Sequence, residues 1–597
     1  MKYPTLYAKE KDRQMVDIFK GYNHNLRIGD GEFFDMKNMT SDHYPVLSPR
    51  GKRGVYAAPG NPQGMIAKDA LCYVDGTEFV MNEYRIDMGL STNAEDVPKR
   101  LVSMGAYVII LPDKMYINTA DITDFGKIEA EVATTAPVSF TLCRADGSAY
   151  SDGNITSDEP EEPENMALWV DTSTVPHQLK MWSESSSMWV SIATTYIRIS
   201  SAGIGIPFEK YDGIQISGLK DTVLLDNASG NVIEDTSQLS ALEGAAVVWE
   251  KGEDYIVVVG MLDITRTISN SITVSRKMPI MDYVTESENR LWGCRYGLDA
   301  NGEVVNELYA SKLGDFKNWN CFMGMSTDSY SASCGSDGQF TGAITHLGHP
   351  LFFKENCVHK VYGNYPANFQ IQTTACRGVQ KGCDKSLAIV NETLFYKAWH
   401  AVCAYDGSLP TEVSFELGDM MYGNAVAGAH GNKYYICMQD SVSTDRHLFV
   451  FDTAKGLWHK EDGLKVDAFC SCRGELYAIS QGKILTMLGS GTTDSGRVEW
   501  MAETGEIGLS SPDMKYISRL TMRMAMELGA EVRIYAQYDF DSEWELVCYL
   551  RNTDNLRSFS LPIRPKRCDY MKLRIEGEGM VKIYSITKTI EQGSDVS

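Results

Sequence analysis

The chain has 597 residues, 43% hydrophobic and 23% charged, with a net charge of −23 at pH 7. That size and balance allow several buried cores in a folded, water-facing protein. An acidic surface repels phosphate backbones, which excludes general nucleic-acid affinity as a property of the whole chain.

Residues 1–62 are rich in turn signals and read as an extended N-terminal arm packing across the rest of the chain. Within it Pro45–Arg53, PVLSPRGKR, is basic in an acidic chain. Arg50, Lys52 and Arg53 are therefore candidate contacts to DNA or to a neighbouring subunit.

From Gln63 to Gly489 one pattern recurs. A run of five to seven residues with period-two alternation meets a Gly, Asn or Asp turn, and a second such run leaves it. Ala70–Met81 turns at Asp75-Gly76, and Leu101–Asn118 at Pro112-Asp113-Lys114. His346–Gly363, Leu387–Gly407, Gly428–Asp452 and Ala468–Leu485 repeat the theme every ~40 residues, the length of a four-stranded blade. A lone small sheet cannot bury both faces, whereas sheets stacked about an axis can. The reading is an all-β chain with a β-propeller of about six to eight blades over residues 63–489.

Residues 128–211 break the pattern and read as a small β-module inserted in a blade loop. Its Ser151–Pro163 stretch is polar and loop-like. Beyond it Trp169, Trp182 and Trp189 stand in alternating segments. These rings form a module core or, if exposed, stack on a glycan or an interface. A GSGTTDSG linker at Gly489–Gly496 then leads to residues 490–597, which read as a C-terminal β-sandwich.

No residue set carries chemistry. No Gly-rich phosphate loop joins a strand to a helix, and no G-x-S-x-G elbow is present; Gly335-Ser336-Asp337-Gly338 reads as a turn. Asp282, Glu286 and Arg290 lie close in sequence, but the sialidase box S-x-D-x-G-x-T-W is missing. The fourteen cysteines form no CxxC and read as reduced core thiols. No catalytic, cofactor or metal residues are assigned, and the expectation is a protein that is not an enzyme. No apolar run reaches the ~18–20 residues of a membrane span, and the N-terminus has no signal-peptide pattern. Synthesis in a cytoplasm without a membrane partner is expected.

Four motifs in order, and one in the N-terminal arm, carry a resemblance. Asn289–Trp292 reads N-R-L-W, Tyr309–Trp319 reads Y-x-S-x-x-G-D-x-x-N-W, and Lys360–Gly363 reads K-V-Y-G. Ala401–Gly407 then reads A-V-C-A-Y-D-G, and the arm carries G-Y-N…D-G-E…P-V-L-S-P-R-G-K-R. Over residues 276–489 the chain resembles tail-hub or packaged-DNA stabilisation proteins of short-tailed bacteriophages and related tail proteins of phages of gut Firmicutes. The resemblance implies a virion structural protein, made in the host cytoplasm and built into the tail. It implies a ring of copies of this chain that extends the DNA conduit. The implied partners are portal, adaptor, tail and fibre proteins, and DNA that passes without sequence-specific binding. A distal receptor- or glycan-binding tail protein is the alternative, and a glycoside hydrolase on a propeller ranks third.

Overall fold

The computed structural model describes residues 11–92, 99–135, 137–150, 154–220, 223–225, 232–235, 238–493, 496–509, 513–539, 541–551 and 556–592. Part of the Ser151–Pro163 stretch and part of the Gly489–Gly496 linker lie outside them.

Seven sheets, six of four strands and the last of five, succeed one another about an axis in these residues. Blade 1 runs from Pro62–Ala67 to Tyr84–Asp87, and blade 2 from Arg100–Met104 to Phe125–Lys127. Blade 3 runs from Tyr283–Ser287 to Tyr330–Ser333, and blade 4 from Gly342–His346 to Gln370–Ala375. Blade 5 spans Ala388–Val390 to Thr411–Glu412, blade 6 Tyr422–His430 to Leu457–Lys460, and blade 7 begins at Ala468–Cys472. All pair antiparallel, and in blades 1 to 6 the strands follow sequence order from the axis outward.

Alternation along each strand sends successive side chains to opposite neighbours. In blade 3, Leu291 packs toward blade 2 with Met104 and Ile109. Trp292 and Leu308 pack toward blade 4 with Phe352 and Val361. Further clusters fill the joints between blades 1 and 2, 6 and 7, and 7 and 1. The joints around blade 5 merge with the sandwich core.

Ring closure uses the other end of the chain. The outer strand of blade 7 is Gly54–Ala57, which pairs antiparallel with Lys483–Thr486 through Val55↔Leu485 and Gly54↔Thr486. Thr492–Thr493 pairs with the same strand, so the supposed linker is partly a strand. This latch holds the first and last segments of the propeller together without leaving the blade's edge open.

The arm is not a separate unit. Lys11–Val16 pairs with Val581–Gln592 in one sheet, and Glu32–Lys37 pairs with Glu499–Thr504 in the other. Both sheets of the C-terminal sandwich therefore contain N-terminal strands, and the 490–597 boundary is corrected to a discontinuous domain. Each sheet presents an apolar inner face, with Leu520, Met522 and Met524 meeting Ile534, Leu573 and Ile575. Between sandwich and propeller, Tyr22 packs on Phe449 at 5.5 Å. Gly21 lies so close to Trp458 that a Cβ would stand 2.3 Å from its carbonyl oxygen.

The insertion is also larger than its sequence reading. It leaves after Lys127 and rejoins the propeller at Tyr283. Ala130–Ala133 pairs with Thr273–Arg276, and Val138–Cys143 pairs with Arg266–Ile268, which moves the end from residue 211 to about residue 278. Two sheets enclose a core of Phe140, Ile197, Ile199, Phe208, Ile256 and Val274. A smaller sheet, Asn154–Thr156 to Met188–Ser191, sits on this body through Leu168, Val170 and Leu179.

Candidate functional site

The propeller axis holds a cavity of about 280 Å³ lined by the innermost strands. Its charged lining is Lys99, Arg100, Asp384 and Lys385. Lys99 is buried beside Asp113 and Ser91, bonded to the Ser91 hydroxyl at 2.6 Å. Arg100 reaches across the axis to Asp384 at 3.1 Å, donates to the Asp282 carbonyl at 2.7 Å and lies 4.2 Å over the Tyr283 ring. Burial pushes the Tyr283 hydroxyl up to about 12. The Lys385 ammonium donates to the Asp467 carbonyl at 2.9 Å, and burial pulls its pKa down.

Asp384 is the one carboxylate among the described residues of this lining. Two-carboxylate glycoside hydrolysis needs a partner roughly 5–9.5 Å away. A cavity of this size is no conduit for duplex DNA.

Asp282 and Arg290 have other work. Asp282 pairs with Arg295 at 3.1 Å and accepts the Tyr296 amide at 2.8 Å. Arg290 is buried and donates to the carbonyls of Ser311, Asp328 and Ser326 at 2.6–2.8 Å, pinning the long connection inside blade 3. The Asp315–Trp319 motif lies in that same connection. Asp315 accepts the Lys317 amide at 2.9 Å, and the Trp319 indole donates to the Phe316 carbonyl at 2.9 Å.

Of the three basic arm residues, two are engaged inside the molecule. Arg53 pairs with Glu461 at 2.6 Å and Asp462 at 2.7 Å. Arg50 pairs with Asp462 at 3.3 Å and Glu461 at 3.5 Å. Both are largely covered within the chain, and of the three only Lys52 is exposed. The basic run neutralises an acidic pair on blade 6.

The three tryptophans share one face of the small insertion sheet. Trp182 and Trp189 are direct cross-strand partners, and Trp189 stands edge-on to Trp182 at 5.6 Å and to Trp169 at 5.4 Å. Trp169 is only 5% exposed, donates to the Thr156 carbonyl at 3.0 Å and carries the Lys180 ammonium 4.6 Å over its ring. Trp169 is thus a packed member, and no flat platform of three rings faces the solvent.

Two buried groups escaped the sequence reading. His359 bonds the Ser336 hydroxyl at 2.7 Å and the Thr373 hydroxyl at 2.8 Å. Burial, then the Lys354 charge, push the imidazole down to about 4, so it is neutral and a weak base near pH 7. Lys354 and Asn306 both donate to the Ser336 carbonyl, and the group staples the Gly335–Gly338 turn to blade 4. Lys397 donates to Gln380 and to the Trp399 carbonyl, and burial brings it down to about 8. Their partners lie far off in sequence, and the residue types alone gave no signal.

No protein-family model matches the sequence, and no curated protein matches it. Among solved structures, the chain is similar to an exo-β-1,3-galactanase from Phanerochaete chrysosporium at 8% identity and TM-score 0.21, over 51% of this chain and 94% of that one. It is also similar to a glycoside hydrolase family 43 arabinoxylan arabinofuranohydrolase from Bacillus subtilis at 9% identity and TM-score 0.18, over 52% and 95%. Both are enzymes, and on that finding the expectation of a chain that is not an enzyme is withdrawn. Likenesses at these TM-scores assign this chain no reaction.

Proposed function

We propose that the chain is a structural protein of a bacteriophage tail machine that assembles with copies of itself into a ring, extends the DNA conduit and helps retain packaged DNA. The observation that carries this reading is an exposed apolar patch on blades 5 and 6. Trp399, Phe415, Met420 and Met421 line a hollow of about 200 Å³. Phe415 is 72% and Trp399 54% exposed. The arm helps to build this patch, since the Asn25 amide donates to the Phe415 carbonyl at 3.0 Å and exposed Leu26 follows it. Large apolar side chains held in place yet left in water mark a subunit contact. A ring contact is heterologous, so the patch meets a different surface of the next copy and closes by rotation.

The tail-protein motifs of residues 289–407 support the same reading. Because the propeller axis is too narrow for DNA, the conduit is the lumen of the assembled ring. A net charge of −23 lets DNA slide there rather than adhere. Portal, adaptor, other tail proteins and fibres would be its neighbours, and the virion tail its location after synthesis in the host cytoplasm. Sedimentation and negative-stain images of the purified chain test the ring. A closed oligomer is expected, and Phe415→Asp with Trp399→Asp is expected to leave monomers. A wild-type chain that stays monomeric with a portal or adaptor partner present overturns the proposal. A distal position in contact with host glycans is the second reading, favoured by the cleft between insertion and propeller.

A further inference from the structure

The insertion meets blade 3 through a buried polar joint. The Asp212 carboxylate pairs with Arg276, accepts the Asn318 amide at 2.9 Å, and all three side chains are buried. The Asn318 side-chain oxygen accepts the Gly213 amide at 2.8 Å, and Lys312 donates to the Tyr211 carbonyl at 3.1 Å. Gly213 is required by the approach, since a Cβ there would stand 2.6 Å from the Asn320 carbonyl. These bonds tie the insertion to blade 3 at several points and hold the two bodies at one separation.

Beside that joint lies a cleft of about 480 Å³, with Thr194, Tyr196 and Trp249 on the insertion side and Asn320 and Phe322 on the propeller side. This volume falls in the roughly 300–1,000 Å³ range of small-molecule sites, which favour domain boundaries. Trp249 is fixed by Tyr196 at 5.4 Å and by Tyr211, edge-on, at 5.8 Å. Phe322 is exposed on the opposite wall. Among the described residues, the Trp249 indole N–H, the Tyr196 and Thr194 hydroxyls and the Asn320 amide have no hydrogen-bond partner within the protein. No lining residue is charged, in a chain where 23% of residues are.

We propose that this cleft binds a neutral oligosaccharide. The apolar face of a sugar ring stacks on an aromatic side chain, and its hydroxyls are donors and acceptors matching the four open polar groups. A sialylated, uronic or phosphorylated ligand would bring a charge with no counter-charge to meet it. Preorganisation by the Asp212–Asn318 joint removes the ordering cost that a mobile cleft would impose. Glycan binding here does not depend on ring assembly.

The test uses the full chain on an array of neutral and acidic glycans, followed by calorimetric titration with the best neutral binder. Neutral glycans are expected to bind and acidic ones not. Asn320→Ala and Trp249→Ala should each weaken binding about tenfold or more. Asn320→Ala should do so with an unchanged melting profile, because its amide bonds nothing in the fold. Trp182→Ala, on the small sheet, should leave affinity unchanged. No glycan binding above background, a preference for acidic glycans, or loss in Trp182→Ala with retention in Asn320→Ala would each overturn the assignment. A monomeric chain that still binds glycan would separate this result from any failure of the ring.

Discussion

Arg53 stands one residue before the strand that closes the ring, and its removal should open the latch. The guanidinium is 11% exposed and meets Glu461 and Asp462 at 2.6 and 2.7 Å. Removing one partner of a buried ion pair costs about 3–5 kcal/mol, because the other charge stays buried. Arg50 remains within 3.5 Å of Glu461 and within 3.3 Å of Asp462, so part of the field survives Arg53→Ala. A net loss of about 2–3 kcal/mol is expected, which is a roughly 30- to 150-fold rise in local opening. Hydrogen exchange reads this directly: amides of Gly54–Ala57 and Lys483–Thr486 should accelerate by that factor. Those of Lys515–Met526 in the sandwich should not change. Burial alone would raise the Asp462 carboxyl, but Arg53, Arg50 and the Leu464 amide together hold the group below its usual value. Its contribution is therefore complete above the ordinary carboxylate pKa and fades as pH falls through the lower, folded value. The wild-type latch should loosen in acid, and Arg53→Ala should show a shallower acid limb. A change in exchange of less than about threefold would mean the pair is worth no more than an exposed salt bridge, refuting the reasoning.

Asn318→Ala leaves Asp212 and the Gly213 amide short of partners in a buried joint, a loss of about 2–3 kcal/mol. Limited proteolysis should then cut the connections near residues 128 and 278 sooner, and unchanged digestion would contradict the joint. Burial raises the thiols of Cys294 and Cys334, and all fourteen cysteines are free. Native alkylation should therefore label only half-buried Cys376, Cys470 and Cys548 before unfolding, as intact mass and peptide mapping will show. Early labelling of Cys294 would contradict the blade packing.

The blades were legible because their signals are local. Asp75-Gly76 and Asp299-Ala300-Asn301-Gly302 mark tight turns, and the alternation of Leu291, Trp292 and Leu308 gives their burial. Ring closure was not legible, since Gly54–Ala57 and Lys483–Thr486 meet across more than four hundred residues. The insertion ended too early for a related reason. Gly213–Ser217, Tyr255–Val259 and Thr273–Arg276 alternate just as blade strands do, and only their pairing partners reveal their sheet. The same blindness misread the site residues. Arg50 and Arg53 look free in PVLSPRGKR because Glu461 and Asp462 are distant in sequence. Trp169, Trp182 and Trp189 were correctly placed together, but local pattern does not say which of the three is covered. The cleft at Trp249 and Asn320 joins two segments that neither composition nor spacing connects.

The most direct test is peptide identification on density-purified particles induced from cells that carry the gene for this chain, combined with cryo-electron microscopy of any tails. Many copies per particle are expected, arranged as a ring about the tail axis with Trp399 and Phe415 buried between neighbours. Absence of the chain from purified particles, or its presence with that patch open to solvent, would contradict a tail-ring role.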